Sequence, residues 1–333
     1  MHYRSLGKSG LKVSPLSLGT MMFGGATDEA DSRRIIDQAR DQGINFIDTA
    51  DVYNGGESEA ITGRAIAADR DNWVLASKVG SPRAWSHAAN QGLSRKSIFE
   101  AAEASLRRLN TDYLDLYYLH REDHATPLEE TIAAIGDLIR QGKIRYWGVS
   151  NFRGWRLADA VSIARRLGVD DPVASQPLYN IVNRQAESEQ FTAARHHGLG
   201  VVPYSPLARG VLSGKYRAGA EPDAGSRAAR QDKRILETEW RAESLAVAQQ
   251  VSDYARQRGS DPISFAIAWV LASSAVSAAI VGPRTLEQWQ GYLGALELQL
   301  NDEDEAFIDS LVTPGHASTH GFNDPAHFVD GRR

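Results

Sequence analysis

The chain has 333 residues, of which 42% are hydrophobic, so it is long enough to bury a large core. Its 37 basic and 42 acidic residues give a net charge of −5, with no strong basic patch that would indicate a nucleic-acid partner. It has no cysteines, which excludes disulfides and thiolate chemistry and is typical of a reducing compartment. The polar N-terminus has no apolar signal core, and no apolar run approaches the roughly 18 residues of a membrane span. We therefore expect a cytoplasmic protein that does not associate with membranes.

Short β-rich runs alternate with longer helical patterns along the chain. The predicted strands are residues 16–18, 45–47, 73–76, 114–119, 144–149, 173–175, 200–203 and 278–281. Strand–helix alternation favours parallel strands with right-handed crossovers. Eight such units can close into a (β/α)8 TIM barrel, an α/β fold that leaves no exposed sheet edge. The predicted organisation is a single barrel domain over residues 1–333.

Three helix starts carry capping patterns. Residues 126–129 predict a capping box with proline at the first helical position. Asp261, which precedes a proline, and Ser94 predict two further N-caps. Between residues 97 and 109 the apolar positions recur at helical spacing, which predicts one face buried against the core.

Two regions depart from the alternation. Residues 3–13 predict an N-terminal β-hairpin that turns at Ser9 and Gly10 and plugs the base of the barrel. Residues 206–240 form a long loop after the seventh strand, rich in glycine, alanine and arginine. A connection of that length is usually functional.

Polar side chains follow the predicted strands at the end where barrel enzymes carry their chemistry. After the second to seventh strands these are Asp48 with Tyr53 five residues later, Lys78, His120, Asn151, Gln176 and Tyr204, and Gly282 follows the eighth strand. One such residue alone is as readily structural as functional. Their occurrence at successive strand ends predicts a shared active site.

Four of these side chains form a chemically sensible set for carbonyl reduction. A carbonyl that receives a hydride becomes an alkoxide and needs a proton, which Tyr53 can supply. The ordinary tyrosine pKa of about 10 makes it a weak acid, and the ammonium of Lys78 would lower that pKa. Asp48 would keep Lys78 charged, and His120 would orient the carbonyl oxygen. None of the four supplies a hydride, so a redox cofactor is required.

The sequence resembles the aldo-keto reductase superfamily across nearly its whole length. The matching segments are FIDTADVY at 46–53, SK at 77–78, LDLYYLH at 114–120, GKIRYWGVSN at 142–151, Gln176, YSPL at 204–207 and GVLSGK at 210–215. Several long motifs in the right order make the match specific. The long loop after the seventh strand is similar to the branch that includes bacterial reductases and potassium-channel β subunits.

The resemblance implies a reversible, NADPH-dependent reduction of small aldehydes or ketones to alcohols. Apart from the resemblance, His120, Asp123 and His124 favour a polar loop over a metal site, so no metal is expected. It implies Tyr53 as the general acid and base, with Asp48, Lys78 and His120 completing a catalytic tetrad. The implied cofactor contacts are Gly19, Thr20, Met21, Asp48, Ser150, Asn151, Gln176, Tyr204, Ser205, Pro206, Leu207, Gly210, Lys215, Gly282, Arg284 and Gln288. The candidates for substrate contacts are Trp85 and His120, with His87 and residues 321–328 as further pocket wall.

The cofactor site does not follow the common dinucleotide motif. No G-x-G-x-x-G follows the first strand, so a Rossmann site has no support. Residues 210–215 are one residue too short for a phosphate loop, and Tyr216 stands where a magnesium-binding Ser or Thr would be. The resemblance implies that this segment lies over the cofactor pyrophosphate and that Arg284 binds the 2′-phosphate. The family often has Glu-Asn where this chain has Gly291 and Tyr292, which predicts a weaker preference for NADPH.

Two other functions stay open at this stage. A regulatory module that binds NADPH, as the channel β subunits suggest, would turn over little with any aldehyde. A Schiff-base aldolase would form an imine at Lys78, which borohydride would trap.

Overall fold

The computed structural model describes residues 1–84, 86–87, 91–216, 221–222 and 226–325. Each of the eight predicted strands is present, with small shifts at its ends. The strands are β1 (Arg4–Ser5), β2 (Lys12–Val13), β3 (Leu16–Gly19), β4 (Phe46–Asp48), β5 (Val74–Val79), β6 (Leu114–Leu119), β7 (Ile144–Ser150), β8 (Ala174–Gln176), β9 (Gly200–Val201) and β10 (Ala279–Val281). The α-helices are α1 (Glu29–Asp41), α2 (Glu57–Ile66), α3 (Arg95–Leu109), α4 (Leu128–Arg140), α5 (Gly154–Arg166), α6 (Gln190–His197), α7 (Lys233–Thr238), α8 (Ala242–Gln257), α9 (Pro262–Ala272), α10 (Leu286–Tyr292) and α11 (Asp302–Leu311).

Strands β3 to β10 form one parallel sheet that closes on itself. Neighbours pair in chain order from β3 to β9, and β10 pairs with β3. The other edge of β10 meets the β9 segment, because the Ile280 N–H donates to the Pro203 carbonyl at 2.9 Å and the Ser277 N–H donates to the Val201 carbonyl at 2.8 Å. Both terminal strands are therefore paired, and the sheet is a (β/α)8 barrel without a free edge. The polar side chains that follow these strands meet at one end.

The N-terminal hairpin is present and packs into the other end of the barrel. Strands β1 and β2 pair antiparallel. The fully buried Leu6 and Val13 belong to the same apolar cluster as Phe46 of the barrel wall. At Gly7 the backbone has a φ of 59°, and a Cβ would lie 2.4 Å from the Gly198 carbonyl oxygen. Only glycine fits this approach to the chain that leads into β9.

Two of the three predicted helix caps are confirmed. Ser94 and Asp261 each accept a hydrogen bond from a first-turn backbone N–H of α3 and α9. The capping box predicted at residues 126–129 is wrong. Pro127 takes the N-cap position of α4, and the Thr126 hydroxyl donates instead to Asp123 at 2.8 Å. The threonine lies one residue too early to reach the free N–H groups of the helix.

The chain divides into two compact units. The first comprises Met1–Pro177, Glu189–Tyr204 and Ser274–Gln290 and contains the whole barrel sheet and α1 to α6, each packed against the next. The second comprises Leu178–Ser188, Ser205–Ser273 and Gly291–Arg333 and contains α7, α8, α9 and α11. The single-domain organisation stays a prediction. Within the part of the chain that the structure describes, no helix is long and apolar enough to cross a bilayer.

The long segment after β9 carries structure of its own in its described part. It contains a 3-10 segment, Ala208–Ser213, and the short helix α7. Tyr216 is buried and packs edge-on against Trp240, with ring centroids 4.9 Å apart. The segment is therefore held within the second unit by an apolar contact. Its composition, rich in glycine, alanine and arginine, does not predict such a contact.

Candidate active site

A buried ion pair joins the carboxyl ends of β4 and β5. The Lys78 ammonium and the Asp48 carboxylate form a salt bridge, and the two side chains are 0% and 3% exposed. The ammonium also donates to the Thr49 carbonyl at 2.7 Å, and the second carboxylate oxygen accepts from Gln176 Nε2 at 3.0 Å. Burial alone would lower the pKa of Lys78, but the Asp48 carboxylate and the Tyr53 hydroxyl together outweigh burial and raise that pKa. Lys78 is therefore an ammonium at neutral pH.

The Tyr53 hydroxyl points at this ammonium. Its oxygen lies 3.4 Å from Lys78 Nζ. Burial raises the pKa of the Tyr53 phenol, and the negative charges of Asp48 and Asp51 add to that rise. The positive charge of Lys78 lowers the pKa and so opposes it, as the sequence predicts. Tyr53 therefore carries its proton at neutral pH. That is the form a donor to an alkoxide must have.

His120 lies edge-on to Tyr53 at the end of β6, with ring centroids 6.1 Å apart and planes at 81°. Burial, with the nearby charges of Lys78 and Arg121, lowers the pKa of His120 to about 3. The imidazole is therefore neutral, with one ring nitrogen that donates and one that accepts. Its Nδ1 is buried and has no hydrogen-bond partner among the described residues. Such an atom is available to a ligand.

A hydrogen-bonded set of side chains follows β7, β8 and β9. Asn151 donates from Nδ2 to the His120 carbonyl at 2.9 Å and to Ser150 Oγ at 3.1 Å, and its Oδ1 accepts from the Tyr204 hydroxyl at 2.8 Å. Ser150 Oγ donates to the Gln176 carbonyl at 2.9 Å. Asn151 has a φ of 56°, a left-handed conformation that asparagine tolerates better than most residues. The set holds the Tyr204 ring in place and leaves one lone pair on Asn151 Oδ1 for a ligand.

The predicted contacts after β3 lie next to the tetrad. The fully buried Thr20 uses its hydroxyl internally, donating to the Asp48 carbonyl at 3.2 Å. Met21 is 39% exposed. A Cβ on Gly19 would come within 2.7 Å of the Ile280 side chain, so glycine permits the close packing of β3 and β10 here. Of the three, Met21 is the one whose side chain is open to a ligand.

The predicted contacts after β10 form an ordered turn that leads into α10. The Arg284 N–H donates to Gln288 Oε1 at 2.8 Å, and the Arg284 carbonyl accepts from Thr27 Oγ1 at 2.9 Å. Gln288 therefore caps the turn with its amide oxygen. Gly282 is exposed. These contacts fix the backbone from which the Arg284 side chain extends.

The remaining predicted cofactor residues lie in the second unit. They are Ser205, Pro206, Leu207, Gly210 and Lys215. The Ser205 carbonyl accepts from Asn180 Nδ2 at 3.0 Å, and the Gly210 N–H donates to the Leu207 carbonyl at 2.8 Å. Lys215 is exposed, and its ammonium lies 4.9 Å from the centroid of the Tyr216 ring. Their role in cofactor binding stays a prediction.

The predicted substrate contacts are only partly covered. Trp85 and residues 326–328 of the tail lie outside the described residues, and His87 is exposed. Phe322 of the tail lies under the guanidinium of Arg241, 3.7 Å from the ring centroid, inside the second unit. Of the predicted substrate residues that the structure describes, His120 is the one that lies next to Tyr53.

Sequence reasoning missed a second group of buried charges beside the tetrad. Asp51, Glu59 and Arg83 are 0%, 0% and 3% exposed, and Arg108 is paired with Glu59. Asp51 falls inside the motif at 46–53, so its place three residues after Asp48 could have marked it. No pattern in the sequence links it to arginines so far along the chain.

Comparison with known proteins identifies the family of the chain. A family model described as the aldo/keto reductase family matches residues 15–313. The chain is 40% identical over 325 residues to the uncharacterized oxidoreductase YrpG of Bacillus subtilis, covering 95% of this chain and 97% of that one. It is 37% identical over 305 residues to a probable voltage-gated potassium channel subunit beta of Arabidopsis thaliana, covering 90% and 92%. A protein of the same description from Oryza sativa subsp. japonica is 35% identical over 322 residues, covering 93% and 97%. The chain therefore belongs to the aldo/keto reductase family of oxidoreductases, built on the (β/α)8 barrel.

Proposed function

We propose that this protein reduces aldehydes or ketones to alcohols with NADPH, reversibly, and that Tyr53 supplies the proton. The observation that carries the proposal is the Tyr53 hydroxyl, which lies 3.4 Å from a buried ammonium and next to a neutral imidazole. A protonated phenol at that position can donate its proton to an alkoxide. The ammonium of Lys78 can then stabilise the phenolate that remains.

The side chains at the ends of β7, β8 and β9 fit a nicotinamide. A carboxamide needs donors and acceptors, and Ser150, Asn151 and Gln176 offer hydroxyl and amide groups for it. The Tyr204 ring, held by its bond to Asn151, offers a flat surface for stacking. Arg284 offers a guanidinium for the 2′-phosphate that distinguishes NADPH from NADH. When bound, the cofactor supplies the hydride.

Each of the four tetrad residues has a separate role at the carbonyl oxygen. A ring N–H of the neutral His120 donates a hydrogen bond to that oxygen and orients it. The Tyr53 hydroxyl transfers its proton to the oxygen as negative charge develops there. Lys78 stabilises the phenolate, and Asp48 keeps the ammonium charged and in place through the buried salt bridge. In alcohol oxidation the same groups act in reverse, and the phenolate accepts the proton.

Two other functions receive less support. Relatives described as potassium channel β subunits favour a second candidate, an NADPH-binding regulatory protein with little turnover. The complete tetrad supports turnover instead, and NADPH oxidation with a panel of aldehydes separates the two. An aldolase needs a neutral amine, whereas the Asp48 carboxylate raises the pKa of Lys78.

The test is Tyr53→Phe, which keeps the ring and removes the hydroxyl. Reduction of an activated aldehyde should fall by a factor of about 10² to 10⁴, the usual weight of general acid catalysis. NADPH binding, followed by fluorescence titration, should stay near the wild-type value. The matched control is Tyr113→Phe, which removes an exposed hydroxyl that donates a hydrogen bond to Asp71. This variant should leave the rate of aldehyde reduction and the affinity for NADPH unchanged. Near wild-type reduction by Tyr53→Phe would show that the proton comes from another group.

The substrate and the compartment need their own measurements. Small aldehydes, ketones, sugars and pyridoxal, each tested with NADPH and NADH, would define the substrate class and the cofactor preference. A cytoplasmic location stays a prediction from the sequence, and fractionation of the producing cells tests it.

A further inference from the structure

A buried carboxylate that the tetrad does not use belongs to Asp51, which lies between Asp48 and Tyr53 in the sequence. Asp51 is 0% exposed, and its backbone N–H donates to the Lys78 carbonyl at 3.4 Å. Its Oδ2 lies 3.6 Å from Nη1 of Arg83, whose side chain is 1% exposed. Burying two charges costs desolvation energy that their attraction does not always offset. A pair of this kind next to a reactive group points to a role in the reaction rather than in stability.

Three other elements bring titratable groups to the same place. Glu59 on α2 and Arg108 on α3 form a salt bridge of their own, with Arg108 Nε 2.7 Å from Glu59 Oε2. Tyr117 on β6 is fully buried, and its pKa is raised by burial and by the charges of Asp51 and Glu59. Arg83 and Arg108 both favour the charged form of Asp51, and the effect of Arg83 is the larger of the two.

Arg83 also anchors the loop that follows β5. Its Nη2 donates to Ser97 Oγ at 2.9 Å, its backbone N–H donates to Gln91 Oε1 at 2.8 Å, and Gln91 Nε2 donates back to the Arg83 carbonyl at 3.0 Å. This loop contains Trp85, the predicted substrate contact, two residues after Arg83. The pair of Asp51 and Arg83 therefore ties the turn that carries Tyr53 to the loop that carries the predicted substrate wall.

The charge of Asp51 acts on Tyr53 through space. Burial is the main cause of the raised pKa of the Tyr53 phenol, and the negative charges of Asp48 and Asp51 add to that rise, because a nearby carboxylate disfavours the phenolate. Burial raises the pKa of Asp51 itself to about 7, with Glu59 adding to the rise and Arg83 and Arg108 opposing it. The carboxylate therefore changes its charge near neutral pH.

We propose that Asp51 is a positioning residue for this reaction, whose negative charge, held by Arg83, sets how readily Tyr53 gives up its proton. The proposal rests on the proposed function, because it assumes that Tyr53 is the proton donor. Asp51 is not one of the four tetrad residues, and on this proposal it sets the pH range of the reaction without contacting substrate or cofactor.

The experiment is the pH profile of alcohol oxidation in Asp51→Asn. Oxidation needs the phenolate of Tyr53, so its rate rises with pH. Removing the Asp51 charge should lower the pKa of Tyr53 and move the rising limb of the pH profile to lower pH by about one unit. At a given pH on that limb the oxidation rate should then be about tenfold higher. The affinity for NADP and the KM for the alcohol should change little, since Asp51 touches neither. The control is Asp115→Asn, which removes a partly buried carboxylate paired with Arg70 at the far end of β6 and should leave the profile in place.

A second variant keeps the test decisive if Asp51→Asn does not fold. Asp51→Ser also removes the negative charge and places a smaller polar side chain there, so the rising limb should again move to lower pH. A merely structural role for the pair would lower the rate in both variants without moving the limb. Unshifted profiles, with Tyr53→Phe still inactive, would overturn the proposal for Asp51 and leave the proposed function standing. Activity in Tyr53→Phe would instead overturn the proposed function.

Discussion

Replacing Asp51 by asparagine should change the stability of the protein more favourably at pH 8 than at pH 5. Burial raises the pKa of this carboxyl from 3.8 to about 7 in the folded protein. A carboxyl whose pKa is raised by folding contributes stability that is fully present below its unfolded pKa and is lost as the pH rises through its folded pKa. The wild-type protein therefore loses stability between about pH 4 and pH 7 because of this one group.

The size of the effect follows from the two pKa values. The difference between 3.8 and about 7 is about three units, and each unit corresponds to about 1.4 kcal/mol, so the full cost at pH 8 is about 4 kcal/mol. At pH 5 about 1–2 kcal/mol of that cost is already present, which leaves about 2–3 kcal/mol between the two pH values. Asparagine keeps the shape and has no such titration. The loss of a partner for Arg83 lowers the variant's stability by the same amount at both pH values, since arginine stays charged.

The assay is urea unfolding of both proteins at pH 5 and pH 8, followed by tryptophan fluorescence. The free energy of unfolding of Asp51→Asn minus that of the wild type should be larger at pH 8. Asp159→Asn is the control, because it removes a carboxylate that is 42% exposed and paired with Arg156 at the surface. Surface changes of this kind usually alter stability by less than about 0.5 kcal/mol. A difference that is equal at both pH values would show that Arg83 stabilises the carboxylate as fully as water does, and the reasoning about burial would be wrong.

Three further predictions concern other positions. Lys78→Met should lower the rate of carbonyl reduction about as much as Tyr53→Phe. The double variant should lose little more activity, because the two residues act as one unit. Additive losses in the steady-state rates would contradict this. Arg284→Ala should weaken NADPH binding by about tenfold to a hundredfold, the worth of a charged hydrogen bond, and NADH binding far less; titrations that show equal losses would exclude the 2′-phosphate as its ligand. Gly63→Ala should lower the free energy of unfolding by about 1–3 kcal/mol, because a Cβ there would lie 2.2 Å from the Leu109 carbonyl oxygen on α3; an unchanged thermal midpoint would show that α2 and α3 can separate freely.

Much of the fold could be predicted because its causes are local. The eight strands are short apolar runs between helical patterns, and each was placed within a few residues of its observed position. The hairpin and the caps at Ser94 and Asp261 depend on neighbouring residues alone. The capping box at residues 126–129 failed for an equally local reason, since Pro127 takes the N-cap position and moves the helix start by one residue.

The side chains of the candidate site were predictable in identity, because parallel strands of a barrel end at the same rim. Their contacts were not. Gln176 bonds Asp48 across 128 residues of chain, and Lys78 donates to a backbone carbonyl, a group that every residue carries. The net direction of the Tyr53 pKa also depends on burial, which only the packed protein defines.

The sequence by itself determined the strand–helix order and the closed parallel sheet, because periodicity acts over a few residues, and its motifs indicated the family. It also predicted the four tetrad residues, whose roles stay a prediction. The tertiary structure alone decided that Asp51 is paired with Arg83 behind the tetrad, that His120 is neutral, and that Asn151 holds the Tyr204 ring. Desolvation and Coulomb interactions depend on distances between groups far apart in the chain. Those distances exist only once the barrel has closed.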